Sequence, residues 1–298
     1  MTPGISDLHR HLDGSLRPAT VAALAAGLGV AVPDALGFSP GMGLDAALAC
    51  FAFSLSLLQD PDAVRRVASE VCEDAAAEGV TTLEIRFAPQ LHRGASIEAI
   101  VDAALEGIAG RAGLVLCGLY GEDPAVLGRL VAVGAPRPGV VGLDLAGGPA
   151  PGHRFRLRDY APAFRAAAAV GLGTTAHAGE GRPPAEIRDA VELLGVSRVG
   201  HGTTALADPA VRDLLVERGV TIEACITSNW HVGAIAAVDQ HPIAGQVAAG
   251  LSVCVCADNT LFSQTDARRE HGLAAALLDP AAYDRVVAAG HAAAFRRA

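Results

Sequence analysis

Lysine is missing altogether: all 23 basic residues among the 298 are arginine. That excludes a Schiff-base lysine, a phosphate-cradling P-loop lysine and any site bridged by a modified lysine. The six cysteines (Cys50, Cys72, Cys117, Cys225, Cys254 and Cys256) form no CxxC pair and no zinc-ribbon spacing. Most have apolar neighbours, where a free thiol behaves as a small hydrophobe, so buried, reduced cysteines are expected. Residues 1–5 lead straight into the first polar motif and leave no room for a signal peptide, so a cytoplasmic protein is expected.

Positive charge is also scarce. The net charge is −9 and the tightest basic group is Arg154, Arg156 and Arg158, too small a footprint to track a nucleic-acid backbone. A hydrophobic fraction of 51% and a mean hydropathy of +0.35 raise the question of a membrane. Long apolar runs are lacking, however. Residues 21–32 contain two glycines and end at Pro33, and residues 46–58 are shorter than the about 20 apolar residues that span a bilayer. Alanine-rich helices around a buried sheet account for the composition instead.

No linker, low-complexity tract or repeat divides the chain, so residues 1–298 are expected to form one α/β domain. Short β-type runs alternate with helical ones. The pattern predicts strands at 5–9, 81–87, 114–119, 140–145, 171–177, 198–201, 220–224 and 251–258. Amphipathic segments such as 62–78, 97–109, 184–194 and 209–218 lie between them, with Ser96 and Asp208-Pro209 as helix starts. This order predicts a (β/α)8 barrel, whose active-site groups come from the C-terminal strand ends.

Four polar islands fall at such ends: His9-Arg10-His11-Leu12-Asp13-Gly14, His177-Ala178-Gly179-Glu180, His201-Gly202 and Asp258-Asn259. Alternation points His9 and His11 the same way. With His177 they offer three imidazole nitrogens, and Asp258 adds a carboxylate oxygen from across the barrel. That donor set suits one divalent ion of borderline softness, with zinc expected. Such an ion brings the pKa of water from 15.7 towards about 7. Glu180, in the loop above the metal, and His201 suit proton transfer and orientation of the water, so the islands point to metal-assisted hydrolysis. Alternation also puts Cys254 and Cys256 on the face of Asp258, inside the barrel. His92, His153, His241, His271 and His291 have no evident partner and read as surface residues or residues behind the ligands. His231, after Trp230, is left as a residue that faces either the pocket or away.

The segments DLHRHLDGSLRP (7–18), LEIRFAP (83–89), GLDLAGG (142–148), TAHAGE (175–180), RVGHG (198–202), CITSN (225–229) and ADN (257–259) occur in this order over nearly the whole chain. In that ordered set the chain resembles the adenosine deaminase family of metal-dependent hydrolases. The resemblance implies a TIM-type barrel with a short helical lid within residues 19–58, one zinc ion, and hydrolytic removal of the 6-amino group of adenosine or deoxyadenosine. It assigns His9, His11, His177 and Asp258 to the metal, and Glu180, His201 and Asp258 to catalysis. Glu180 would protonate ring N1, and His201 would orient the water and help deprotonate it. The Gly147 backbone would approach ring N3, and Asp13 would bind ribose hydroxyls. Related adenine deaminases carry glutamate where Asp13 stands, and relatives acting on methylated nucleotides carry asparagine. Asn259 replaces an aspartate common at that position and can donate to ring N7 through its amide. Two other readings stay open: a deaminase of another 6-aminopurine derivative or related heterocycle, and a barrel that binds nucleosides or a partner without turnover. No nucleic-acid or membrane partner is expected. Base-flipping zinc deaminases use a His/Cys/Cys set and an HxE motif, which this chain lacks.

Overall fold

A computed structural model describes residues 4–295. Eight parallel strands pair in chain order: β1 (Ile5–His11), β2 (Val80–Phe87), β3 (Gly113–Leu119), β4 (Val140–Ala146), β5 (Gly173–Ala178), β6 (Arg198–His201), β7 (Thr221–Ala224) and β8 (Ser252–Val255). β8 returns to β1 through a single bridge. Asp258 N–H donates to the His9 carbonyl and His11 N–H to the Asp258 carbonyl, both at 2.8 Å. The (β/α)8 expectation is met, with every predicted strand present.

β8 ends at Val255, short of the predicted 251–258, and Asp258, at a left-handed φ of 59°, takes part only in the bridge to β1. The predicted helix at 184–194 is α-helical only over Pro184–Asp189. It continues as a wide π turn over Ala190–Leu194, ended by Gly195 at φ 70°. Both predicted helix starts hold. Ser96 Oγ accepts from Ala99 N–H at 3.2 Å, and Asp208 Oδ1 from Ala210 N–H at 2.9 Å. Between β1 and β2 lie α1 (Pro18–Leu28), α2 (Leu44–Leu57) and α3 (Pro61–Glu78). Among the described residues no helix is long and apolar enough to cross a membrane.

Alternation sorts the strand side chains. Leu83, Ile85, Leu143, Leu145, Ala176, Val199, Ile222, Val253 and Val255 join the main core between sheet and helices. Cys254 and Cys256 pack with Leu8 and Cys225 in a separate cluster, as their inward phase requires. The other inward positions hold Glu84, Arg86, Asp144, Thr175, Arg198 and Glu223, all buried.

Most of these polar atoms are paired, although Arg86 Nε is buried without a partner. Arg198 Nε donates to Glu223 Oε1 at 2.7 Å, and its Nη atoms reach Glu84 at 3.2 and 2.5 Å. Removing one partner from a buried ion pair leaves an uncompensated charge, which costs about 3–5 kcal/mol. Arg198→Met should therefore lower unfolding stability by about that much in urea titrations. A loss below about 1 kcal/mol would show that the barrel tolerates the bare carboxylates.

Candidate active site

The histidines meet at their Nε2 atoms. His11 Nε2 lies 3.2 Å from both His9 Nε2 and His177 Nε2. Asp258 Oδ1 is 3.6 Å from His9 Nε2 and 3.5 Å from His11 Nε2. The far side of two rings explains why the Nε2 lone pairs face inward. His9 Nδ1 sits 2.6 Å from Glu223 Oε2, a carboxylate that also accepts from Arg86 and Arg198, so Nδ1 must carry the proton. His177 Nδ1 lies 3.2 Å from Asp144 Oδ2. Burial works to raise the Asp144 pKa, but His177 and Arg86 outweigh it and hold the group well below the ordinary carboxylate range. Burial, with nearby Arg86 and His177, lowers the His9 and His11 pKa values, which keeps both rings neutral. For His177 burial acts downward, and Asp144 raises the pKa above its ordinary value.

Three lone pairs converging to 3.2 Å repel one another unless a cation lies between them. Neutral imidazole nitrogens plus one carboxylate match the donors of a tetrahedral borderline ion, so His9, His11, His177 and Asp258 fit a divalent metal. Ligand atoms of His201 and Cys225 also come within 4.8 Å of members of this set. The Cys225 thiol is pushed well up by burial and stays protonated, a poor ligand form. His201 has its Nδ1 engaged elsewhere, 3.0 Å from Asn229 Nδ2 and 3.4 Å from Glu180 Oε1.

Local backbone delivers these groups. By parity His201 would follow Val199 away from the lumen, but its φ of 66° reverses it. Gly200 is required beside it, because a Cβ there would stand 2.9 Å from His9 Cε1. Burial, with Asp258 nearby, pushes the Glu180 carboxyl up to about 8, so it holds a proton at neutral pH. Ser228 hydrogen-bonds the Asp258 carboxylate, and Tyr120 Oη donates to the His177 carbonyl at 3.0 Å.

A cavity of about 400 Å³ opens above the ligands, and Asp13, Gly147, Glu180, His201, Asp258 and Asn259 all line it. Every site residue expected from sequence is thus gathered here, with His9 among the imidazoles at its base. Asp13 Oδ1 and Asn259 Oδ1 are buried without a partner. Burial raises the Asp13 carboxyl to about 7. α2 forms an apolar wall through Leu44, Ala47, Leu48, Phe51 and Leu55, as a lid does. His231 does not line the cavity; it stacks on Trp230 and meets Phe38 edge-on. His92, His241 and His271 are buried, whereas His153 lies at the cavity wall.

Sequence reasoning named no role for Arg86, Asp144, Glu223, Ser228 or Asn229. The first three carried a readable signal: a charged residue at an inward position of an otherwise apolar strand.

A family profile described as adenosine deaminase matches residues 5–285. An adenosine deaminase of Shewanella halifaxensis is 35% identical over 291 residues, covering 90% of this chain and 86% of that one. A probable adenosine deaminase of Dictyostelium discoideum is 33% identical over 289 residues; the match covers 90% of this chain but only 37% of that longer protein. Among solved structures, adenine deaminase from Arthrobacter aurescens superposes with a TM-score of 0.88 at 24% identity, covering 99% of this chain and 94% of that one. An N6-mAMP deaminase from Arabidopsis gives 0.86 at 25% identity, with coverages of 98% and 93%. An amidohydrolase from Burkholderia ambifaria with bound zinc gives 0.83 at 24%, with coverages of 98% and 85%. With a family match over nearly the whole chain, relatives above 30% identity and the same barrel, the protein belongs to the adenosine deaminase family.

Proposed function

We propose that this chain deaminates adenosine-type purine nucleosides hydrolytically, giving the 6-oxo purine and ammonia, with one zinc ion held by His9, His11, His177 and Asp258. The carrying observation is Glu180, a carboxyl group kept protonated at neutral pH beside that ligand set. When bound, the ion supplies a Lewis acid that makes water a nucleophile near pH 7. Glu180 gives its proton to ring N1, which makes C6 electrophilic. His201 orients the attacking water. The Gly147 backbone, at φ 79° and with no atom within 4 Å of where a Cβ would lie, leaves room for the purine edge at N3. Asp13 meets the ribose hydroxyls. Asn259 Oδ1 is turned towards Gly14, since a Cβ on Gly14 would sit 2.1 Å from it, and the amide NH2 would donate to ring N7. All six cysteines are free, in keeping with a reducing compartment such as the cytoplasm.

The cavity chemistry favours an uncharged sugar end. Asp13, Asp45, Glu180 and Asp258 line it, and among the described residues no arginine does. Arg182, beside Gly148, is held by Glu186 at 2.9 Å and by the Pro149 carbonyl. A phosphate dianion would enter without a partner and next to carboxylates, a mismatch of several kcal/mol.

Four outcomes test the proposal. Glu180→Gln should keep its zinc, measured by metal analysis, yet lose about 10²–10⁴-fold in kcat, because an amide delivers no proton. Activity that needs the protonated Glu180 is full at pH values below about 8 and declines as pH rises through that value. A variant within threefold of the parent, by ammonia release, would remove Glu180 from the mechanism.

Adenosine should exceed AMP in kcat/KM by at least about 100-fold. Comparable turnover of the two would mean that the site takes nucleotides.

Asp13→Ala should reduce kcat/KM for adenosine by about 10–150-fold at pH values above about 7, where the carboxylate is ionised and its hydrogen bonds are charged, while leaving any slow turnover of free adenine unchanged. Equal losses on both substrates would replace the nucleoside reading with that of another aminopurine.

A further inference from the structure

His241 lies buried on the turn that follows Val238–Gln240, in contact with Asn229. The backbone N–H of Ile243 donates to His241 Nδ1 at 3.2 Å. A backbone amide can only donate, so Nδ1 is an acceptor here. The ring proton of His241 is therefore on Nε2. Burial acts in the same sense, pushing the His241 pKa down to about 4 and keeping the ring neutral.

Nε2 of His241 lies 3.3 Å from Asn229 Oδ1 and donates to it. An amide whose oxygen is engaged on one side presents its NH2 on the other. Asn229 Nδ2 faces His201 Nδ1 at 3.0 Å and Glu180 Oε1 at 3.4 Å. Amide nitrogen has no lone pair to offer, so His201 Nδ1 is the acceptor. With Nδ1 occupied in this way, the proton of His201 resides on Nε2. Each assignment follows from the one before it, and the first is fixed by a main-chain N–H.

We propose that His241, acting through Asn229, is a positioning residue that locks His201 in the Nε2–H tautomer, so that His201 meets the attacking oxygen as a hydrogen-bond donor and not as its base. The proposal rests on the deamination reading and changes one proton route within it. The water proton passes to the Asp258 carboxylate as oxygen bonds to C6, and Glu180 delivers its own proton to N1. The C6–N6 bond then breaks, its electron pair leaving with the amine, which takes the proton from Asp258. The C6 hydroxyl returns a proton to Glu180 as the carbonyl forms. One water is consumed, one ammonia leaves, and both carboxyl groups regain their starting states. Throughout, His201 keeps its proton and supports the charge developing on oxygen.

The test reads the tautomer directly. In the full chain labelled with 15N-histidine, metal-free and zinc-loaded, long-range 1H–15N correlation should show His201 and His241 both as Nε2–H, with Nδ1 unprotonated. His241→Leu removes the donor to Asn229 and frees its amide to turn over. The His201 signals should then move towards the Nδ1–H form, with kcat falling about 10–100-fold while KM and bound zinc stay unchanged. His241→Gln, which restores an N–H to Asn229 Oδ1, should recover most of the rate. Asn229→Asp presents a carboxylate to Nδ1 and should reverse the tautomer outright. A wild-type His201 protonated on Nδ1 would overturn the proposal, as would a folded His241→Leu variant with parental kcat and an unchanged His201 spectrum. If the leucine variant does not fold, the wild-type spectrum still decides. An inactive wild-type enzyme with His201 as Nε2–H would end the deamination reading and leave the tautomer assignment standing.

Discussion

The guanidinium of Arg86 is the interaction on which the site depends. Buried in the lumen, it reaches Asp144 Oδ2 at 3.0 Å, Glu223 Oε2 at 2.9 Å and the Leu8 carbonyl at 2.6 Å. Those two carboxylates hold Nδ1 of His177 and His9, and so decide where the Nε2 atoms point. A guanidinium suits this place because its planar fork serves several acceptors at once and never loses its charge. Arg86 and Arg198 against Glu84, Asp144 and Glu223 leave one formal negative charge beneath the ligands, and Asp258 adds a second. A divalent ion neutralises that total.

Above the imidazoles the environment changes from paired charge to isolated acid. Glu180 and Asp13 are buried, and burial outweighs the nearby Arg182 at Glu180, which drives both carboxyl groups towards the neutral form. Side chains of the same kind thus stand as imidazole-orienting anions below and as neutral acids above. The difference follows the distribution of arginine: Arg86 and Arg198 pair with carboxylates in the lumen, whereas among the described residues no arginine lines the cavity.

Much of this was legible in the sequence. The strands could be read because apolar alternation is local, and the ligands because each closes a strand with a short polar motif. Asp13, Gly147 and Asn259 were placed by resemblance, and all three line the cavity. What stayed hidden depends on contacts made only when the barrel closes. Asp144 and Glu223 are far apart in sequence yet share Arg86. His241 looked unpartnered because its partner, Asn229, is twelve residues back across a turn. The inward swing of His201 comes from a left-handed φ at a residue that is not glycine.

The bridge between the last strand and the first has a consequence of its own. It is made by the main chains of His9, His11 and Asp258, whose side chains are also the proposed ligands. β8 and β1 meet there through two backbone bonds rather than a full ladder, so this is the seam of the cylinder. A cation gripped by side chains from both strands would act as a rivet across it. By linkage, an ion present at a thousandfold its dissociation constant adds about 4 kcal/mol to the folded state. Resistance of the whole barrel to heat and proteolysis would then vary with metal supply, making the catalytic ion a structural one as well.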